Sequence, residues 1–276
     1  MSAQTSPVAL ADAVDPNVFG GKAAHLAVAA RAGLPVPPGV AAPWPLVDAV
    51  TGGESDAVSG LAAAASALGS FLAVRSSAVD EDSDAASFAG QHASLLNVPG
   101  AGLVDAVRAV ARSARGDAAL AYRRRLGLAE ETARMGVVIQ EMVDASVAGV
   151  LFRPHPVTGA DEIVIEATWG LGATVVDGLV TPDLFRLDVE GEVLEQRSGL
   201  KELEMGATVG GGTATRPADP ARARERSLDD GQLAELHRLV TRCKAVFGGS
   251  QDLEWAFAGG VLWLLQRRAV TRGGPR

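Results

Sequence analysis

The apolar positions in the second half of the chain predict a series of β-strands. Short apolar runs recur there, separated by residues that favour turns. These runs fall at 136–143, 147–152, 162–167, 184–189 and 193–196. Two more runs, 251–257 and 261–266, flank Gly259-Gly260 and predict a closing hairpin.

The first half of the chain has helical periodicity instead. Helices are predicted after Gly20-Gly21-Lys22, over 56–70 and within 101–127. One further helix is predicted late in the chain, because Ser227-Leu228-Asp229-Asp230 is a capping sequence that precedes apolar residues at helical spacing. Residues 203–221 are rich in Gly, Thr and Pro, which predicts an exposed loop.

This distribution predicts an α+β fold with a helix-rich first half and a strand-rich second half. A length of 276 residues allows two modest lobes that share one function. Because the pattern changes at Met135, we expect a first lobe at residues 1–135 and a second lobe at residues 136–276.

Composition narrows the classes of partner. Hydrophobic residues make up 47% of the chain, so a large core can form, and the net charge is −8. That charge argues against nucleic acid or an anionic membrane as the main partner, although a local basic cleft stays possible. The single cysteine, Cys243, excludes an internal disulfide framework. No secretory signal or membrane-length apolar stretch is apparent, so we expect a cytoplasmic protein.

Two segments of the first half have the chemistry of phosphate binding. In Gly20-Gly21-Lys22, glycines permit close backbone approach and the lysine adds a compact positive charge. The same sequence is also common in surface turns. Leu72-Ala73-Val74 predicts a buried strand that delivers Arg75, a side chain able to clamp a polyphosphate. The acidic residues within 80–84 could be metal ligands, but solvated loop charges are the simpler interpretation.

The closing hairpin has the chemistry of a magnesium site. Strand alternation puts Asp252 and Glu254 on one face, and carboxylate and amide oxygens are ligands that Mg²⁺ accepts. With a regular two-residue turn, Glu254 would face Leu265 and Gln266 would point the opposite way. An odd-length loop, or a bulge at the glycines, would put Glu254 and Gln266 on the same face.

Several segments, none decisive alone, occur in one order along the chain. On these segments the sequence resembles the ATP-binding region of the pyruvate phosphate dikinase, phosphoenolpyruvate synthase and rifampicin phosphotransferase family, from about Asp15 to Thr271. The segments are Gly20-Gly21-Lys22, Gly33-Leu34-Pro35-Val36-Pro37-Pro38-Gly39, Val74-Arg75-Ser76-Ser77, Ser87-Phe88-Ala89-Gly90-Gln91, Gln140-Glu141-Met142-Val143, Ala148-Gly149-Val150-Leu151-Phe152, Pro156-Val157-Thr158-Gly159, Gly170-Leu171-Gly172, Val180-Thr181-Pro182-Asp183, Gln251-Asp252-Leu253-Glu254-Trp255 and Leu265-Gln266-Arg267-Arg268.

The resemblance implies an ATP-grasp fold, in which two lobes close on ATP. It implies that Lys22 and Arg75 hold the phosphates, with Arg75 nearest the transferred group, and that Arg268 also contacts phosphate. Gly90 and Ser94 would lie along the triphosphate, where the family often has threonine in place of Ser94. Phosphoryl transfer consists mostly of positioning and charge neutralisation, which agrees with this set of cations.

The resemblance also assigns the base and the metal. Gln140 would lie at the lobe junction near the adenine, Glu254 and Gln266 would hold Mg²⁺, and Asp252 would support them. The chain departs from the family at Ala173, where glutamate is usual. This departure concerns the details of nucleotide binding or the preference for an acceptor rather than the fold.

The phosphate acceptor is the open question at this level. Complete family members carry a separate domain with a phosphate-accepting histidine, and none of the four histidines here stands in such a motif. They are His25, His92, His155 and His237, of which His155, in place of the usual Asp or Asn before Pro156, is the best candidate for a catalytic role.

Three functions therefore remain open for the chain. The leading hypothesis is an ATP- and Mg²⁺-dependent phosphotransferase module that passes phosphate to a carrier histidine on a separately encoded protein. The second is a stand-alone kinase that phosphorylates a small molecule or antibiotic directly. The third is an ATP-binding regulatory pseudoenzyme. Retention of the predicted phosphate and metal ligands together argues against the pseudoenzyme.

Overall fold

The computed structural model describes residues 5–79, 93–125 and 133–268. Its helices are α1 (Pro16–Phe19), α2 (Gly21–Arg31), α3 (Trp44–Gly52), α4 (Ser55–Ala65), α5 (Leu103–Ser113), α6 (Asp117–Arg125), α7 (Ala173–Val176) and α8 (Asp230–Phe247). Its strands are β1 (Val8–Ala9), β2 (Gly39–Ala42), β3 (Phe71–Ala78), β4 (Ser94–Pro99), β5 (Met135–Glu141), β6 (Val147–Arg153), β7 (Ile163–Trp169), β8 (Asp183–Leu187), β9 (Val193–Arg197), β10 (Leu203–Ala207), β11 (Thr213–Pro217), β12 (Gln251–Ala258) and β13 (Val261–Arg268). The predicted α+β class is confirmed.

The first of two large sheets has the strand order β1-β2-β5-β3-β4, with antiparallel pairing throughout. Apolar side chains of helices α3, α4 and α5 pack on it and form one core. Strand β5 lies between β2 and β3. If the two lobes are defined by the two sheets, all of β5 belongs to the first lobe, and the boundary lies after Glu141 rather than at 135/136.

The second sheet has the strand order β13-β12-β6-β7-β8-β9. Helix α8 covers it, and its buried residues Leu233, Leu236 and Val240 belong to the same core as Trp255 and Phe185. The helix begins as predicted. The Asp229 side chain accepts a hydrogen bond from the Gln232 backbone N–H, and the Gln232 side chain accepts one from the Asp229 backbone N–H. The predicted closing hairpin is present as β12 and β13.

Helix α2 connects the two sheets. Leu26 and Ala27 pack against residues of the first sheet, while Ala29 belongs to the core of the second. Beyond the helix, Pro35 accepts a backbone hydrogen bond of 2.7 Å from Leu264 in β13. The two sheets thus share buried contacts, and a cleft lies between them. This arrangement agrees with the two-lobed architecture that the resemblance implies.

Two features of the fold differ most from the sequence-based expectation. Residues 203–221 are not simply an exposed loop, because they contain the antiparallel hairpin β10–β11, with Leu203 opposite Pro217 and Ala207 opposite Thr213. All five residues of β11 are exposed, so the run lacks the apolar alternation that marks a strand. Helix α3 was not predicted. No helix in the described ranges has the length and apolarity needed to cross a bilayer.

Cys243 provides a chemical probe of this fold. It lies on the buried face of α8, and burial raises the pKa of its thiol to about 12, although Arg267 and Arg242 act in the opposite direction. We expect the folded protein to react with an aromatic disulfide reagent at least about a hundredfold more slowly than the denatured protein, because the thiolate is the reactive form. The rate at which the reagent releases its aromatic thiolate measures this reaction directly, since the chain has one cysteine. Equal rates in the two states would contradict the buried position.

Candidate functional site

A cavity of about 330 Å³ opens between the two sheets. Its polar lining comes from both sheets and from helix α2, and it includes Lys22, Arg75, Glu254, Gln266 and Arg268. Much of the remaining wall is apolar and is formed by Pro37, Ala73, Leu96, Met142, Val143, Ala148, Leu171, Val176 and Trp255. The wall therefore offers cations together with an apolar surface, which suits a ligand that has both an anionic and an aromatic part.

Lys22 reaches the cavity from the first turn of helix α2. Its side chain is 4% exposed, and its Nζ donates to the Ser76 carbonyl at 2.7 Å. Gly20 allows this packing, because its φ is +85° and a Cβ there would lie 1.9 Å from the Ser77 carbonyl oxygen. The Gly20-Gly21-Lys22 segment is consequently buried against strand β3, and the surface-turn interpretation is wrong.

Arg75 lies in the middle of β3 and points across the cleft to the closing hairpin. Its Nη2 donates to Gln266 Oε1 at 2.9 Å and to Glu254 Oε2 at 3.2 Å, and its Nη1 donates to the Leu265 carbonyl. The second oxygen of Glu254 accepts from Arg268 Nη2 at 2.8 Å. One carboxylate thus stands between two guanidinium groups, and Arg75 contacts both predicted metal ligands.

The hairpin places Glu254 and Gln266 on one face by a route that we did not predict. Its turn has two residues, since Ala258 pairs with Val261, but the register shifts between Glu254 and Trp255. Trp255 pairs with Leu264 and Glu254 pairs with Gln266, so Leu265 is the extra residue of a bulge. The bulge lies inside the strand rather than at the glycines. It also turns the Leu265 carbonyl toward Arg75.

The donor set of this hairpin fits a hard divalent cation such as Mg²⁺. Glu254 offers two carboxylate oxygens and Gln266 an amide oxygen on the same side, and oxygen ligands are what Mg²⁺ prefers. No cluster of three or more His, Cys, Asp or Glu residues occurs in the described parts of the chain. Glu254 and Gln266 would supply part of the shell of a bound Mg²⁺, and substrate phosphates and water commonly complete such a shell.

The other predicted site residues are distributed as follows. Gln140 lines the cavity, is 2% exposed and donates to the Pro37 carbonyl at 3.1 Å. Ser94 also lines it and pairs with Arg75 across strands β3 and β4. Asp252 pairs with Arg268 in the hairpin register and is absent from the described cavity wall. Gly90 lies outside the described residues.

The described histidines lie away from this cavity. His155, the strongest catalytic candidate of the four, accepts at Nδ1 from the backbone of Val157 and Thr158, so it stabilises its own turn. His237 contacts the Val189 carbonyl and His25 contacts Arg267. His92 is outside the described residues. Ala173, at the position where glutamate was expected, does line the cavity.

Comparison with known proteins finds relatives whose names describe synthases and transferases. The chain is 41% identical over 206 residues to a probable phosphoenolpyruvate synthase of Methanothermobacter thermautotrophicus, covering 74% of this chain and 30% of that protein. It is 39% identical over 203 residues to a rifampicin phosphotransferase of Streptomyces sviceus, covering 72% and 23%. It is 36% identical over 287 residues to the prodigiosin synthesizing transferase PigC of Serratia marcescens, covering 94% and 32%. The chain thus spans about a quarter to a third of the length of these relatives.

Two further findings cover most of the chain. A D-alanyl-alanine synthetase A from Vibrio cholerae aligns over 95% of this chain and 58% of its own, with a TM-score of 0.41 and 11% identity. The family model described as pyruvate phosphate dikinase, AMP/ATP-binding domain, matches residues 42–276. The chain belongs to this family of AMP/ATP-binding domains.

Proposed function

We propose that the chain is the ATP- and Mg²⁺-dependent part of a phosphotransferase, and that it passes phosphate to a carrier histidine on a separate protein. The observation that carries the proposal is the convergence of Lys22, Arg75 and Arg268 with Glu254 and Gln266 in one cavity. Three cations and a pair of oxygen ligands are what the positioning and neutralisation of a triphosphate require. The family name supports the nucleotide.

The side chains of the cavity have separable tasks in this proposal. Lys22 is held against Ser76 and places its positive charge at the cavity wall, where it would attract phosphate oxygens. Arg75 and Arg268 provide planar donors for the charge that develops on the transferred phosphoryl group. Glu254 and Gln266 hold the metal, whose charge neutralises the phosphates when it is bound. Pro37, Met142 and Val143 provide apolar surface for the base.

The acceptor is expected to enter through the open side of the cavity. The polar side chains that line it are cations, carboxylates and amides, together with the hydroxyl of Ser94, while His25, His155 and His237 make contacts elsewhere. A nucleophile from a second protein would attack a phosphorus of ATP, and the bond from that phosphorus to the leaving nucleotide oxygen would break. The release of AMP or of ADP reports which phosphorus is attacked.

Labelled ATP tests the proposal. The chain is incubated with γ-labelled or β-labelled ATP and Mg²⁺, alone and with a purified protein that carries a phosphohistidine domain. We expect acid-labile label on that protein, only when the chain is present, and loss of transfer when Mg²⁺ is chelated. Label that appears on a small molecule without the second protein would favour the stand-alone kinase. ATP binding without turnover under any of these conditions would overturn the enzymatic proposal and favour the pseudoenzyme.

A further inference from the structure

The hairpin β10–β11 connects the two sides of the cavity. It is a separate two-stranded sheet that leaves the second sheet and reaches the edge of the first. We propose that Asn97 is a positioning residue that latches the tip of this hairpin and thereby sets the width of the cavity at its apolar side. The proposal deepens the proposed function and rests on it, because it takes the cavity to be the nucleotide site.

The root of the hairpin is fixed to the second sheet beside the cavity. Gly170 forms a parallel bridge with Met205, and the Leu171 backbone donates to the Met205 carbonyl at 2.8 Å. This approach requires glycine, since a Cβ on Gly170 would lie 2.3 Å from the Met205 oxygen. Leu171 lines the cavity, so the root is attached directly to one wall.

Charged and aromatic side chains stiffen the root. The Trp169 indole donates to the Arg222 carbonyl at 2.9 Å, and the Arg222 guanidinium lies 4.0 Å from the centre of the same ring. Glu204 in β10 pairs with Arg216 in β11 at 2.8 Å and with Arg222 at 3.7 Å. The hairpin can therefore act as a rigid strut rather than a loose loop.

The tip of the hairpin is held by Asn97 in strand β4. The Asn97 Nδ2 donates to the carbonyls of Thr208 and Gly212, both at 2.7 Å. The Gly212 backbone donates back to the Asn97 carbonyl at 2.7 Å. Three short hydrogen bonds thus join residues more than 100 positions apart in the chain. They satisfy both hydrogen atoms of one buried amide group.

The backbone of Asn97 indicates that this arrangement is specific. Its φ is +55°, and it is the single non-glycine residue with positive φ in the described ranges. Such a conformation is unfavourable for most residues and is tolerated best by asparagine and glycine. Asn97 is also 3% exposed, so its amide group needs partners. The hairpin provides those partners.

Asn97 also contacts the opposite wall of the cavity. Its backbone N–H points to Met142 Sδ at 3.3 Å, and Met142 lines the cavity near the predicted base position. The hairpin β10–β11 is therefore attached to the cavity wall at both ends. Its root contacts Leu171, and Asn97, which holds its tip, contacts Met142. If the distance between these two walls is fixed before binding, less conformational entropy is lost when a flat base enters between them. The hydrogen bonds that the structure describes for Lys22, Arg75 and Arg268 go to Ser76 and to the closing hairpin.

Two variants of Asn97 test the latch. Asn97→Asp keeps the shape but puts a carboxylate against two carbonyl oxygens, and Asn97→Gly keeps the left-handed backbone but removes the amide. Val209→Ser is the matched control, because Val209 lies at the same tip and is 99% exposed. Binding of ATP, AMP and inorganic tripolyphosphate is measured by calorimetry, and folding is checked by thermal denaturation.

We expect both Asn97 variants to bind ATP and AMP about tenfold more weakly, in the usual range of coupling between sites, while tripolyphosphate affinity stays unchanged. KM for ATP should rise with little change in kcat, and Val209→Ser should match the wild type. Unchanged ATP affinity in both folded variants would overturn the latch, and so would an equal loss for all three ligands. If the wild type binds no nucleotide, the proposed function fails. Hydrogen exchange at the Gly212 amide in Asn97→Asp then still decides whether Asn97 holds the hairpin.

Discussion

Replacing Arg75 with alanine is expected to lower phosphoryl transfer from ATP at least about a hundredfold, while ATP binding stays measurable. Arg75 contacts both Glu254 and Gln266, at 3.2 Å and 2.9 Å, so it lies where the proposed metal ligands and the phosphates would meet. Its removal leaves Lys22 and Arg268 in the cavity to hold the nucleotide. Single-turnover transfer of label measures the loss, and calorimetry measures ATP affinity.

A second variant separates charge from geometry in this prediction, and a third serves as its control. Arg75→Lys keeps the positive charge but loses the planar fork that reaches Glu254, Gln266 and the Leu265 carbonyl together, so intermediate activity is expected. Arg31→Ala is the control, because Arg31 is exposed and pairs with Asp12 on the surface. Near-normal turnover in Arg75→Ala would show that a different arginine, with Arg268 the first candidate, stabilises the transferred group.

The closing hairpin shows how far the sequence alone could define the site. Strand alternation placed Asp252 and Glu254 on one face and gave the condition under which Glu254 and Gln266 could share a metal, while the resemblance assigned these two residues to the metal. The position of the bulge could not be predicted, because Leu265 has no local property that marks it. Its carbonyl is turned toward Arg75, which is 190 residues away in the chain, and such a contact leaves no periodic signal.

The burial of Lys22, the proposed phosphate-binding lysine, was equally invisible to local patterns. Gly20-Gly21-Lys22 fits a surface turn until the carbonyl of Ser76, 54 residues away, is placed next to the ammonium group. The latch at Asn97 was missed for a related reason, since an isolated asparagine in an apolar strand carries no motif. Long regular elements such as α8 and the strands of the second sheet were predicted because their periodicity is local.

The segment Val180-Thr181-Pro182-Asp183 was recognised only as part of the resemblance, and the structure explains its aspartate. Asp183 is fully buried and accepts from Gly199 N at 2.8 Å, from Ser227 N at 2.7 Å and from Ser227 Oγ at 2.6 Å. It also pairs with Lys201, which is fully buried as well. This carboxylate therefore joins the start of β8 to the segments that lead into the hairpin and into α8.

Asp183→Asn is expected to destabilise the fold by about 3–5 kcal/mol, because it leaves the Lys201 ammonium buried without a counter-charge. That is a large share of the roughly 5–15 kcal/mol that stabilises a typical domain. The free energy of unfolding in urea measures the loss. Lys201→Met removes the buried charge and leaves Asp183 its three neutral donors, so the double variant Asp183→Asn/Lys201→Met should lose less stability than the two single variants added together. Strict additivity, or a loss below about 1 kcal/mol in Asp183→Asn, would show that the pair is not coupled in the folded protein.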